Sequence, residues 1–398
     1  MDRRLPIFID KSTWPGPGIP PLFPRAFRSG LGHYDLNIPS MLLMIGYLTT
    51  PTATTGVTLS EFWAWVRYLA AITPDDQEMK LTQSFSTLDA HQKTILSDDF
   101  GMGVSMLWLW NTLSFDLVVD GNYFMRQHAH SVGVTQRRVV KRGPNKTPDF
   151  VGRDSKGFWH VIECKGTQSG SHYSNRQLAG GLAQKQSLIF PRNYTGQRLV
   201  CGLTIGLEGA EGSRLEVIDP PPDDPVEIFP DEMPQANDAA TRGVMSKLLR
   251  MAGFETAAEA LALPEGTWTD VLKKQTRASN ERHRQVIEER DSRARIELTE
   301  DLSRRPLFDE RFIGREIKLE LPRALRIGDA FVRHVVVRQG VNRDAVMELA
   351  EQPNITALIQ DSSTDWLSLV GRNETSSNGF SAALQIGKLF RSEIHLEG

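Results

Sequence analysis

Asp149, Glu163 and Lys165 are the residues whose types and spacing could do chemistry together. They stand in the stretch Thr147 to Gln168, TPDFVGRDSKGFWHVIECKGTQ. A Pro148-Asp149 pair precedes a turn, and an apolar run then ends in Glu163-Cys164-Lys165. Two carboxylates offer the hard oxygen ligands that hold Mg²⁺, an ion that keeps several of its own waters, and Mn²⁺ can substitute for it. Such an ion lowers the pKa of a bound water and neutralises charge developing on a phosphate. Lys165 could orient or help deprotonate the attacking water. The main-chain carbonyl of Cys164 could supply a further metal ligand, whatever its side chain.

These groups meet only if the local elements bring them together. Asp154-Ser155-Lys156-Gly157, small and polar between two apolar runs, predicts a turn. Phe158 to Lys165 is rich in aromatic and β-branched residues and predicts a strand. Alternation along that strand puts Trp159, Val161, Glu163 and Lys165 on one face. If the two strands flanking the turn pair, Asp149 reaches the same place.

With those residues in hand, the stretch resembles the PD-(D/E)XK nuclease superfamily. The resemblance lies in Pro148-Asp149 followed, after thirteen intervening residues, by Glu163-Cys164-Lys165. It covers roughly residues 97–219 and implies an α/β (α+β) restriction-endonuclease-like fold, a mixed sheet flanked by helices. It further implies that Asp149 and Glu163 hold the metal and that Lys165 is the catalytic lysine. In that family a helix before the catalytic strands often donates another acid. Asp98 and Asp99 are the nearest candidates, and Asp99 is the preferred one. The family also often carries a polar residue on the helix after the signature, facing the metal site, a role that falls here on Gln177, with Lys185 as a phosphate contact.

Other expectations come from patterning. Leu59 to Ala71 reads as a helix whose aromatics are core. Gln77 to Leu96 reads as a second helix, and Ser97-Asp98-Asp99 as the start of a third running to Leu113. Phe115 to Arg126 and Val134 to Val140 read as strands, with Asp120-Gly121-Asn122 as a turn. Ser174 to Phe190 reads as a helix, and Leu199 to Ile205 and Leu215 to Ile218 as strands, giving helices flanking a mixed sheet.

Arg137, Arg138, Arg142 and Lys146 cluster just ahead of Asp149, where phosphate contact is expected. Replacing these four should weaken nucleic-acid binding on any sequence and flatten its salt dependence, measured as the slope of affinity against salt. An unchanged slope would put the nucleic-acid path elsewhere.

At 398 residues the chain is long enough for two or three domains. The segments expected are an N-terminal arm and helical region over 1–96, a nuclease core over 97–219 and a Pro-rich acidic linker over 220–235. A charged helical region over 236–305 and a small α+β domain over 306–398 follow. A net charge of −3 gives no global attraction to nucleic acid, so binding needs a local basic patch. Two cysteines, Cys164 and Cys201, allow no disulfide framework and no cysteine-based zinc site, as in a reducing cytoplasm. The apolar run Met41 to Leu48 is too short to span a bilayer, and no phosphate-cradling GxxxxGK[ST] motif is visible.

The expected function is a Mg²⁺-dependent endonuclease acting on DNA, in restriction or anti-phage defence by analogy, as a homo-oligomer or beside a partner protein. The alternatives are a non-catalytic nucleic-acid-binding or assembly subunit that keeps the fold, and a nuclease for RNA or single strands. All three signature residues are present, which favours the enzyme over the binding subunit.

Overall fold

The computed structural model describes residues 1–16, 18–27, 31–53, 60–133, 147–170, 178, 188–219, 225–266, 276–301, 306–355, 357–362, 364–371 and 373–398. Among these residues seven strands form the main sheet: β1 (Asp2–Ile9), β2 (Leu31–Asn37), β3 (Phe115–Asp120), β4 (Phe150–Asp154), β5 (Trp159–Thr167), β6 (Thr195–Thr204) and β7 (Arg214–Ile218). Their order is β2-β1-β7-β6-β5-β4-β3. β3, β4 and β5 make an antiparallel meander, and β6 runs parallel to β5. β7 is antiparallel to β6, β1 is parallel to β7, and β2 is antiparallel to β1.

The N-terminal residues are therefore not an arm. β1 lies inside the sheet, with Ile7 opposite Leu215 and Ile9 opposite Val217. Leu5 and Ile7 are buried, so the strand contributes to the core.

The longer helices among the described residues are α1 (Ile38–Thr49), α2 (Ser60–Ala71), α3 (Ala90–Leu113), α4 (Gly121–Ser131), α5 (Met233–Ala252), α6 (Glu255–Ala262), α7 (Arg277–Asp301) and α8 (Arg343–Glu351). α3 begins well before the expected start at Ser97, because Asp89 caps it: its carboxylate accepts the N–H groups of His91 and Gln92. The expected boundary between residues 96 and 97 thus falls inside a helix. A second correction concerns Gly121, where β3 gives way to a helix rather than to a turn within a longer strand. Tyr123, Phe124, Gln127 and His128 recur at helical spacing and are buried. A third is that Leu188–Ile189 is a short strand paired with Val226–Glu227, not a helix end. The strand expected over 134–140 and most of the helix expected from Ser174 lie outside the described residues.

Residue size sets how α3 packs. It lies between the sheet, on β5 and β6, and α1 on its other side. Gly101 faces the sheet, where a Cβ would come within 2.7 Å of the Lys165 and Gly166 backbone. Gly103 faces α1, where a Cβ would meet Ile45 at 2.4 Å. α1 is buried from Ile38 to Leu48, as a helix apolar on all sides must be. Beyond it lies a second sheet of β8 (Phe312–Ile327), β9 (Ala330–Asn342), β10 (Asn373–Asn378), β11 (Ser381–Ile386) and β12 (Phe390–Glu397), in the order β8-β9-β12-β11-β10.

The amide of Asn373 donates to the Phe115 and Asp116 carbonyls at 2.9 and 3.0 Å, tying the second sheet to β3. One contiguous apolar core runs through both sheets. The described residues before 220 and after 235 therefore share one core. α7 is a largely solvated helix, as its mixed charges predict. Among the described residues no helix is long and apolar enough to cross a membrane.

The tightest contact yields a stability prediction. A Cβ at Gly166 would stand 1.8 Å from the Ser97 carbonyl oxygen, which is backbone and cannot swing away. Gly166→Ala should therefore destabilise the protein by roughly 1–3 kcal/mol through overpacking, read as a lower denaturant midpoint. A midpoint equal to wild type would mean that α3 does not press on β5 here.

Candidate active site

β4 stops short of covering β5, and the uncovered edge is the site. The last paired residues are Phe150 and Ile162. Just before Phe150 the chain is held by the start of α4: the Gly121 N–H donates to the Asp149 carbonyl at 2.9 Å. Only glycine fits there, since a Cβ would lie 2.1 Å from the Pro148 carbonyl oxygen. Past Ile162, β5 continues to pair with β6 but leaves its other edge open at Glu163 to Lys165.

The Asp149 side chain fills that gap. Its Oδ2 accepts the Cys164 N–H at 2.8 Å, and the Asp149 N–H donates to Glu163 Oε2 at 3.2 Å. Glu163 Oε1 makes an ion pair with Lys165 Nζ. The Glu163 side chain is 0% exposed and that of Lys165 23%, so the carboxylate is the floor and the ammonium the lip. The three signature residues come together as the alternation and hairpin predicted.

Burial and mutual charge set the protonation of the trio. Burial pushes Asp149 up, and Asp98 adds to this, while Lys165 and the Cys164 N–H pull it back. Glu163 is also pushed up, by burial first and then by Asp149, against the pull of Lys165. For Lys165, burial pulls downward, but Asp149 and Glu163 outweigh it and hold the ammonium above its usual value.

Cys164 splits its roles. The N–H and C=O of one strand residue leave on the same edge. Its carbonyl therefore shares the Asp149 edge, as a main-chain metal ligand requires. Its thiol points to the opposite face and lies beside Cys201 in the register. Burial drives that thiol well above its ordinary pKa, so it is neither nucleophile nor soft ligand.

The choice between the two aspartates of α3 is corrected. Asp99 accepts a hydrogen bond from the Tyr68 hydroxyl and is turned toward α2. Asp98 instead feels Lys165, and Asp149 feels Asp98, so Asp98 is the acid beside the trio. One residue is about 100° of helix, and the close approach of Gly101 and Gly166 fixes which aspartate faces β5. Gln177, Lys185, Arg137, Arg138, Arg142 and Lys146 lie outside the described residues.

The donor set discriminates among ions. Among the described residues no group of three His, Cys, Asp or Glu side chains is placed to hold a metal. Two carboxylates and a main-chain carbonyl are too few and too hard for a zinc centre. They suit Mg²⁺, which binds through one or two carboxylates and completes its shell with water. Two buried carboxylates, both pushed up by burial and one of them also by the other's charge, are a site that a cation relieves.

No family model, curated protein or solved structure matches this chain.

Proposed function

We propose that the chain is a Mg²⁺-dependent endonuclease that hydrolyses DNA phosphodiester bonds. The observation that carries this reading is the convergence of Asp149, Glu163 and Lys165 in the notch where β4 ends. The order α3-β3-α4-β4-β5-β6, a helix, three antiparallel strands with α4 between the first two, and then a parallel strand, supports a restriction-endonuclease-like core. Restriction or anti-phage defence, as part of an assembly, is the setting that the resemblance suggests.

Asp149, Glu163 and the Cys164 carbonyl would hold the ion. When bound, Mg²⁺ supplies positive charge for the phosphate and a more acidic water. The residues do the rest. Lys165, at the lip, holds the attacking water by hydrogen bond and offsets charge on the phosphate oxygens. The wholly buried Glu163 keeps that ammonium in place through its second oxygen. Asp149 is fixed by the Cys164 N–H, so both carboxylates are oriented before substrate arrives. In-line attack leaves a 5′-phosphate and a 3′-hydroxyl.

Product chemistry and assembly test the reading. Fragments made by the protein should be sealed by a ligase without prior phosphorylation, which requires those two ends. Fragments with 3′-phosphates would contradict the proposed attack. One such site cuts one strand, so concerted double-strand cleavage needs two copies. Sedimentation should show self-association under conditions where both strands are cut together. A monomer that makes concerted double-strand breaks when dilute would sink that part.

A further inference from the structure

We propose that α7 is a dimer interface, pairing antiparallel with α7 of a second copy of this chain about a twofold axis at the level of Asp291. The inference does not rest on the nuclease reading. Where that reading holds, it names the surface that brings two sites into one assembly.

α7 has an inner and an outer side. Arg290, Ala294 and Leu298 are buried, and the helix packs on α6 and α8. Arg282, Val286, Glu289, Arg293, Ile296 and Glu300 are exposed, and they follow one another at intervals of four, three, four, three and four residues. That is the spacing of a helix–helix seam, here about 27 Å long. Its centre lies about 120° around the helix from Ala294, so it faces away from α6 and α8. The two apolar members stand 55% and 52% exposed, Val286 and Ile296 respectively.

The order of residues along the seam selects the partner. Arg282 and Glu300 lie nine residues either side of Asp291, Val286 and Ile296 five, and Glu289 and Arg293 two. An antiparallel second copy therefore sets Val286 against Ile296 of that copy, Glu289 against Arg293, and Arg282 against Glu300. Every layer is apolar on apolar or opposite in charge, and the twofold axis makes each layer twice, as a closed isologous pair requires. A parallel copy would set each charge against itself, so the pattern excludes that arrangement. Within one copy Arg293 Nε donates to the Glu289 main-chain carbonyl at 3.3 Å, which leaves the Glu289 carboxylate to a second helix. The flank of the seam away from the body carries Gln285, Ser292 and Thr299, all exposed and uncharged. Ser292 stands beside the axis, where a charged residue would meet its own copy and repel it.

The test is sedimentation velocity of the full chain without metal or nucleic acid, from about 1 to 300 µM, since two apolar contacts per copy support a weak dimer. Wild type should pass from monomer to dimer across that range. Glu289→Arg places two arginines against each other at both inner layers, and Arg293→Glu places two glutamates there. Each variant alone should dimerise at least about ten-fold more weakly than wild type. An equimolar mixture of the two restores opposite charges at both layers and should regain the wild-type dimer. Both positions are exposed, so the dilute variants should melt as wild type does, which separates loss of the interface from loss of the fold. A wild type that stays monomeric throughout, single variants that dimerise like wild type, or a mixture that stays monomeric overturns the proposal. None of these outcomes touches cleavage by wild type, so the nuclease reading would stand without it.

Discussion

Lys165→Ala should lower the cleavage rate by about 100-fold or more, roughly 3 kcal/mol of barrier, while the fold persists. The loss is expected because the ammonium stands at the lip of the notch, where water and phosphate meet the carboxylates. Binding to nucleic acid should fall only modestly, since one positive charge among several is removed. The variant also carries a pH signature. Lys165 is the ion-pair partner of a wholly buried carboxylate, a role that goes beyond that of a lysine reaching freely to solvent.

Without Lys165, the push on Glu163 and Asp149 loses its main opponent, and their pKa values rise further. A carboxyl with a raised folded-state pKa contributes stability that is fully present below its unfolded value. That stability is lost as pH rises through the folded value. Lys165→Ala should therefore match wild type in melting temperature in mild acid and fall progressively below it as pH rises from about 4.5 through neutrality. Cleavage, melting temperature against pH and affinity on one preparation check this. Wild-type cleavage by the variant removes Lys165 from the mechanism, and parallel pH profiles would mean that it does not stabilise Glu163.

Glu163→Gln should abolish both cleavage and the thermal response to metal. For wild type, a ligand that binds only the folded state stabilises it by about 2.7 kcal/mol at one hundred times its Kd, so Mg²⁺ or Mn²⁺ should raise the melting temperature clearly. With a neutral amide in place of the charged floor, that rise should vanish. The metal-free variant should melt above metal-free wild type at alkaline pH, because a buried charge held against its raised pKa has been removed. The two should converge in acid, where Glu163 is protonated. A metal-induced shift that survives in the amide variant would place the ion elsewhere.

How much of this could be read beforehand varies with the range of the interaction. The trio is encoded within a single hairpin, whose turn and period-2 pattern are local, so residues 147–168 disclose it. The choice of Asp98 over Asp99 depends on the phase of α3, set by contact of Gly101 with Gly166 across the fold. No local pattern reports that. β1 was hidden for the same reason: its partner β7 lies more than two hundred residues along the chain, and the Pro- and Gly-rich segment after it suggests an arm. Asp120-Gly121-Asn122 carries turn residues, yet Gly121 is there because Pro148 passes within contact distance and Asp149 takes its N–H. The continuity of the two sheets likewise rests on α1, whose apolar run was legible but whose two neighbours were not.

The most direct measurement is cleavage of end-labelled single- and double-stranded DNA and RNA by purified wild type and Asp149→Asn, with Mg²⁺, Mn²⁺ or EDTA. Asp149 is the right control because it touches the notch through one oxygen and sits at a position whose backbone Gly121 already fixes, so the amide preserves the fold. The account predicts cutting by wild type with Mg²⁺ or Mn²⁺, none with EDTA, and none by the Asn variant under any condition. Cutting that persists in EDTA or in Asp149→Asn, or a wild type that leaves every substrate intact with both metals, would contradict it.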